Sequence, residues 1–182
     1  VAEIPREITY EYLTEKSQEL EEKYGMNIIM GENVTCDFEA YEYEQVVDET
    51  LIMDALEQLE LALSAFPDGV CTEMASDYAS GFHIYLCGAF TPKDSENISD
   101  AGAFYVFENG CYNLALDVTL GNTEPNVIHE MTHAIDNYFA FCGASEKLET
   151  DWNACNPEGF TYHESYFGYE DFVRSNSIGQ NV

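Results

Sequence analysis

The residues best suited to chemistry lie in one run, Val127-Ile128-His129-Glu130-Met131-Thr132-His133-Ala134-Ile135-Asp136. It contains HEMTH, a full match to the HExxH pattern of zinc hydrolases. On a helix, residues four apart stack on the same face, so His129 and His133 can point at one ion. A neutral imidazole is a good zinc ligand. Glu130 is one residue round from His129 and would not ligate. Its carboxylate would lie beside a metal-bound water and take its proton. Only four histidines occur in 182 residues, so a chance match is rare. The plain alternative is a core helix with two incidental histidines.

The elements that must position this run can be read from its flanks. Pro125 suits a first helical turn, and Asn122 or Thr123 can cap it. Val127, Ile128, Met131, Ala134, Ile135 and Tyr138 form an apolar side for burial. Just upstream, residues 103–108 and 111–118 read as two strands around Asn109-Gly110, a strong hairpin signal. On the second of these strands Tyr112, Leu114, Leu116 and Val118 share one face. Residues 82–90 read as one further strand and 91–102 as a polar loop. His83, on that strand, has no partner at ligand spacing and reads as an ordinary strand residue. Earlier, Tyr10, Leu13, Ser17, Leu20 and Tyr24 recur at helical spacing up to Gly25. Residues 27–30 read as a short strand and 31–43 as an acidic connection. Ile52, Leu56, Leu59 and Leu63 line a second helix that Pro67-Asp68-Gly69 stops. Beyond Phe141 regular periodicity fades.

Composition bounds the classes. The length fits a single domain over 1–182, and a hydrophobic fraction of 46% can fill a core. Thirteen Tyr and eleven Phe argue against a disordered chain. The net charge of -29, with six Lys plus Arg, excludes nucleic acid as a natural partner. It equally disfavours an anionic membrane surface. No stretch is apolar enough to span a bilayer. The charge by itself reads as solubility. Six cysteines, an even count in so acidic a chain, lean towards an oxidising, extracellular setting. Pairing stays open: Cys142 with Cys155 and Cys87 with Cys111 are candidates, and buried free thiols are the alternative.

At HEMTHAIDNYF the chain resembles the zincin metallopeptidases on the gluzincin side, and is similar to the HExxHAxD-type helix of anthrax lethal factor-like peptidases. Trp152, Asn156-Pro157, Gly159-Phe160 and Tyr162 look like a motif of secreted zinc peptidases of gut bacteria. The resemblance covers about residues 122–162 only. It implies an α+β zincin-like fold, with a mixed sheet whose edge strand lies above the active-site helix, and a short irregular C-terminal lobe. It implies zinc as cofactor, His129 and His133 as metal ligands, and Glu130 as general base. Asp136 falls where a carboxylate can orient a ligand imidazole; a solvated carboxylate is the alternative. The edge strand would take substrate as an added strand, and the strand ending near Val118 or its hairpin partner is the candidate. Metzincins need Gly at position 136 and His at 139; Asp136 and Phe139 exclude them.

The expected function is thus a secreted, extracellular zinc peptidase acting on peptide or protein substrates. A non-catalytic binding or inhibitory module on the same fold is the alternative. The third zinc ligand is open. In the lethal factor-like class it is a Glu on a later helix, which here would fall beyond Val182 in a longer chain. Glu158 is the runner-up, because Gly159 lets its loop approach an ion closely. Glu149, Asp151, Glu164, Glu170 and Asp171 are the other downstream carboxylates.

Overall fold

The computed structural model describes residues 8–77, 81–94, 101–108, 110–141 and 154. The chain divides into two compact units, Val1–Tyr138 and Phe139–Val182. The first holds the sheets and the helices that pack on them.

Helix α1, Tyr10–Tyr24, is capped by the Thr9 hydroxyl, which accepts from the Tyr12 N–H, and ends on Gly25 in the left-handed region at φ 72°. Its buried stripe is Leu13, Ser17 and Leu20. Strand β1, Asn27–Ile29, and the three-residue strand β2, Tyr41–Tyr43, follow. Helix α2, Glu49–Ser64, begins under Asp48, whose carboxylate accepts from Thr50 and Leu51. It buries Ile52, Leu56, Leu59 and Leu63, the face its spacing predicts. A short helix α3, Val70–Asp77, leads to β3, Phe82–Cys87, and β4, Phe90–Pro92. The hairpin strands β5, Ala103–Glu108, and β6, Cys111–Asp117, precede the long helix α4, Thr123–Phe141.

The main sheet has the order β1-β3-β6-β5. The first three strands run parallel and β5 runs antiparallel against β6. The class is therefore α+β with a mixed sheet. Glu108 pairs with Cys111 and Gly110 takes φ 75°, as a tight hairpin turn favours. Side chains alternate across the sheet as the strand period requires. Phe82, Ile84, Leu86, Tyr112, Leu114 and Leu116 join the helices in the larger core, with Ala103, Tyr105 and Phe107 of β5 packed against it. The opposite face is a smaller cluster built on Val34, Phe38, Cys87, Phe90 and Ala115, with Phe104 and Val106 against it.

Three readings of the sequence change. The run 82–90 is two strands, because Gly88 and Ala89 turn away to bond Glu44 (Gly88 N–H to Glu44 carbonyl, 2.8 Å; Glu44 N–H to Ala89 carbonyl, 3.0 Å). The second half pairs with β2, inside the stretch read as a connection. Cys87 and Cys111 do not join neighbouring strands. Cys87 pairs with Asp117 and Phe82 with Tyr112, so the two thiols lie at opposite ends of the sheet, roughly 20 Å apart along the strand. Cys36, Cys71 and Cys87 are free thiols, and Cys142 and Cys155 lie outside the described residues. No described helix is long and apolar enough to cross a membrane.

Candidate metal centre

Helix α4 is built to show one face and hide another. Thr123, Val127, Met131, Ala134 and Tyr138 are buried, a stripe at steps of four and three. Ile128, expected within it, is 36% exposed, because it falls about 100° from Val127 on the helical wheel. The start of the helix is held from elsewhere. The Gln58 side-chain carbonyl on α2 accepts the Glu124 backbone N–H at 3.2 Å, while its amide donates to Asp54 at 2.6 Å. Asn122 instead accepts from the Asn126 side chain, at 3.1 Å. At the far end the Tyr138 hydroxyl donates to Glu73 of α3 at 2.9 Å.

With that face buried, His129 and His133 stand outward, both exposed. Their Nε2 atoms are 3.2 Å apart, and the rings meet edge to face at 4.9 Å between centroids. Two nitrogens about 2.0–2.1 Å from one tetrahedral zinc would be separated by roughly 3.3–3.4 Å. The separation of the pair therefore matches that of two imidazoles sharing one ion. Without an ion, one Nε2–H donating to the other Nε2 holds the same separation, provided the two rings adopt opposite tautomers. Glu130 lies on the inner side of the pair. Its side chain is 13% exposed against 69% for His129, and its carboxylate oxygen is 4.0 Å from the His129 Nε2.

The surroundings of the pair come from β5. Asn126, Glu130, His133 and Asn137 recur at steps of four, three and four, which keeps them within about 60° of arc on a helix. The Asn137 amide donates to the Tyr105 hydroxyl on β5 at 2.8 Å. Gly102, just before β5, packs so closely on Asn126 that a Cβ there would collide with the Asn126 amide nitrogen. The antiparallel edge strand thus runs along the helix face that carries Glu130 and His133. Of the two hairpin strands considered as a substrate edge, β6 is interior and β5 is the outermost of the described strands.

The other candidate residues separate from this group. Asp136 is exposed and hydrogen bonds neither imidazole. His83 sits on β3, where its Nδ1 is 3.3 Å from the Tyr85 hydroxyl. Among the described residues no group of three or more His, Cys, Asp or Glu side chains is placed to hold a metal. Glu149, Asp151, Glu158, Glu164, Glu170 and Asp171, the Trp152 to Tyr162 motif and the expected C-terminal lobe lie outside the described residues. Sequence reasoning missed Gly102, Asn126 and Asn137, and also Gln58 and Tyr105, which meet α4 from elsewhere. Neither of the last two has a local signal, since each meets α4 across a large sequence separation, 66 and 32 residues respectively. Comparison with known proteins finds no matching family model, no matching curated protein and no matching solved structure.

Proposed function

We propose that this chain is a zinc-dependent peptidase of zincin-like architecture, with His129 and His133 as two of the metal ligands and Glu130 as the general base. The observation that carries the reading is the 3.2 Å separation of the two Nε2 atoms on an exposed helix face, beside a sheltered carboxylate. Zinc, when bound, would polarise the scissile carbonyl and lower the pKa of a coordinated water. The chain's own groups do the rest. Glu130 accepts a proton from the attacking water as its oxygen bonds to the carbonyl carbon. It then delivers that proton to the amine nitrogen as the carbon–nitrogen bond breaks. Strand β5, last in the order of the described sheet, would offer backbone N–H and C=O groups to an extended peptide as an added strand. The helix supplies the ligands and the strand supplies the register, which is why both belong to one site.

The test is Glu130→Gln, which keeps shape and hydrogen bonding but cannot accept the proton. Zinc content should stay unchanged while peptide hydrolysis falls by at least about two orders of magnitude. Equal activity in the variant would remove Glu130 from the reaction. A zinc-loaded wild type that cleaves nothing in a broad peptide library would favour a binding module instead.

A further inference from the structure

We infer that Gly102 and Asn137 are positioning residues that fix edge strand β5 along α4 and so set the width of the groove beside the histidine pair, a role that rests on the peptidase reading above. The pair lies between two anchor points. At one end Gly102 has its carbonyl tied to the Asp117 N–H at 2.8 Å, which holds the strand to β6. There the absence of a side chain lets the strand lie against Asn126, itself held by Asn122 at 3.1 Å. A Cβ at this position would also press on Leu120, 3.3 Å from its Cδ1. At the other end Asn137 donates to the Tyr105 hydroxyl at 2.8 Å.

From Asn126 to Asn137 the helix rises about 16.5 Å. From Gly102 to Tyr105 the strand advances about 10 Å, and the tyrosine hydroxyl meets Asn137 at 2.8 Å. His133 is one helical turn before Asn137, and His129 is three residues after Asn126. An extended peptide laid along β5 would therefore pass over the histidines at a height fixed by these two contacts. Ala103, Tyr105 and Phe107 point to the larger core, so β5 cannot rotate to compensate without losing that packing.

The experiment uses the full chain with zinc present, in four variants: Asn137→Ala, Tyr105→Phe, Gly102→Ala and Asn137→Asp. Far-UV circular dichroism first confirms folding. Two readouts follow, amide hydrogen exchange over β5 and steady-state hydrolysis of an extended peptide. Loss of one hydrogen bond should speed exchange of β5 amides about five-fold in Asn137→Ala and Tyr105→Phe. KM should rise by a similar factor while kcat and zinc content hold. Gly102→Ala should do the same from the other end by driving the Asn126 amide off Asn122. Asn137→Asp should stay near wild type, because the Tyr105 hydroxyl can donate to the carboxylate. Unchanged exchange in Asn137→Ala overturns the inference whether or not the protein cleaves peptides. Faster exchange in the variants, when wild type and variants alike bind zinc but never cleave, keeps the two anchors and sinks the peptidase reading. Faster exchange with an unchanged KM in an active enzyme overturns the role in setting the groove.

Discussion

Replacing Met131 by Ala tests how α4 is rotated, and with it whether the histidines face outward. Met131 lies two residues from both His129 and His133, about 200° round the helix, on the opposite side. It is fully buried against the larger core. The substitution removes the γ-methylene, the sulfur and the ε-methyl. At about 0.8 kcal/mol per buried methylene-sized group, the lost transfer free energy is roughly 2–2.5 kcal/mol. Incomplete collapse of the cavity adds to this, and the better helix propensity of Ala returns a few tenths. A net loss of about 3 kcal/mol is expected. Urea unfolding followed by far-UV circular dichroism measures it, in chelator so that metal linkage does not enter. Thr132→Ala is the control. Thr132 is exposed and its hydroxyl bonds back to the Ile128 carbonyl at 2.8 Å, so its loss should stay within about 0.5 kcal/mol. A Met131→Ala cost below about 1 kcal/mol, or a Thr132→Ala cost equal to it, would mean the helix is turned the other way. The histidine pair would then face the core.

Two further outcomes follow from named groups. The Lys16 ammonium is raised above 10.5 and the Glu60 carboxyl lowered below 4.5, in both cases first by the hydrogen bond between them. The carboxylate's contribution is present above its ordinary pKa and lost as pH falls; the ammonium's is present below its ordinary pKa and lost as pH rises. Glu60→Gln should therefore cost about 0.5–1 kcal/mol between pH 5 and 10, discounted because the Glu60 side chain is 37% exposed, and less on either side. Urea titrations across pH decide this, and a pH-independent cost would refute it. Burial pushes the Cys71 thiol up to about 11, and pushes Cys87 up as well. Neither should react with a thiol reagent at pH 8 in the native state, and both should react in urea. Labelling of either native thiol at the rate of a free cysteine would show it is not buried.

Elements with strong local periodicity were legible. The α2 face, the Asn109-Gly110 hairpin, and the helical placement of His129 and His133 all followed from spacing inside one segment. What was not legible depends on distant partners. Strands β2 and β4 have three residues each, too short for a pattern, and exist because Tyr43 meets Phe90. Helix α3 follows directly on Pro67-Asp68-Gly69, where the turn signal hid a second start. Gln58 looks like any polar residue on α2 until its contact with α4 is known. The same is true of Ile128, which the apolar spacing assigned to the core although the wheel puts it at the rim.

The central claim is that His129 and His133 share a metal, and zinc titration of metal-free protein tests it most directly. Wild type should take up about one zinc per chain, with absorption-edge spectra showing two imidazoles, and both His129→Ala and His133→Ala should fail to retain it. Stoichiometric zinc in the His133→Ala variant, at wild-type affinity, would place the metal elsewhere and contradict the account.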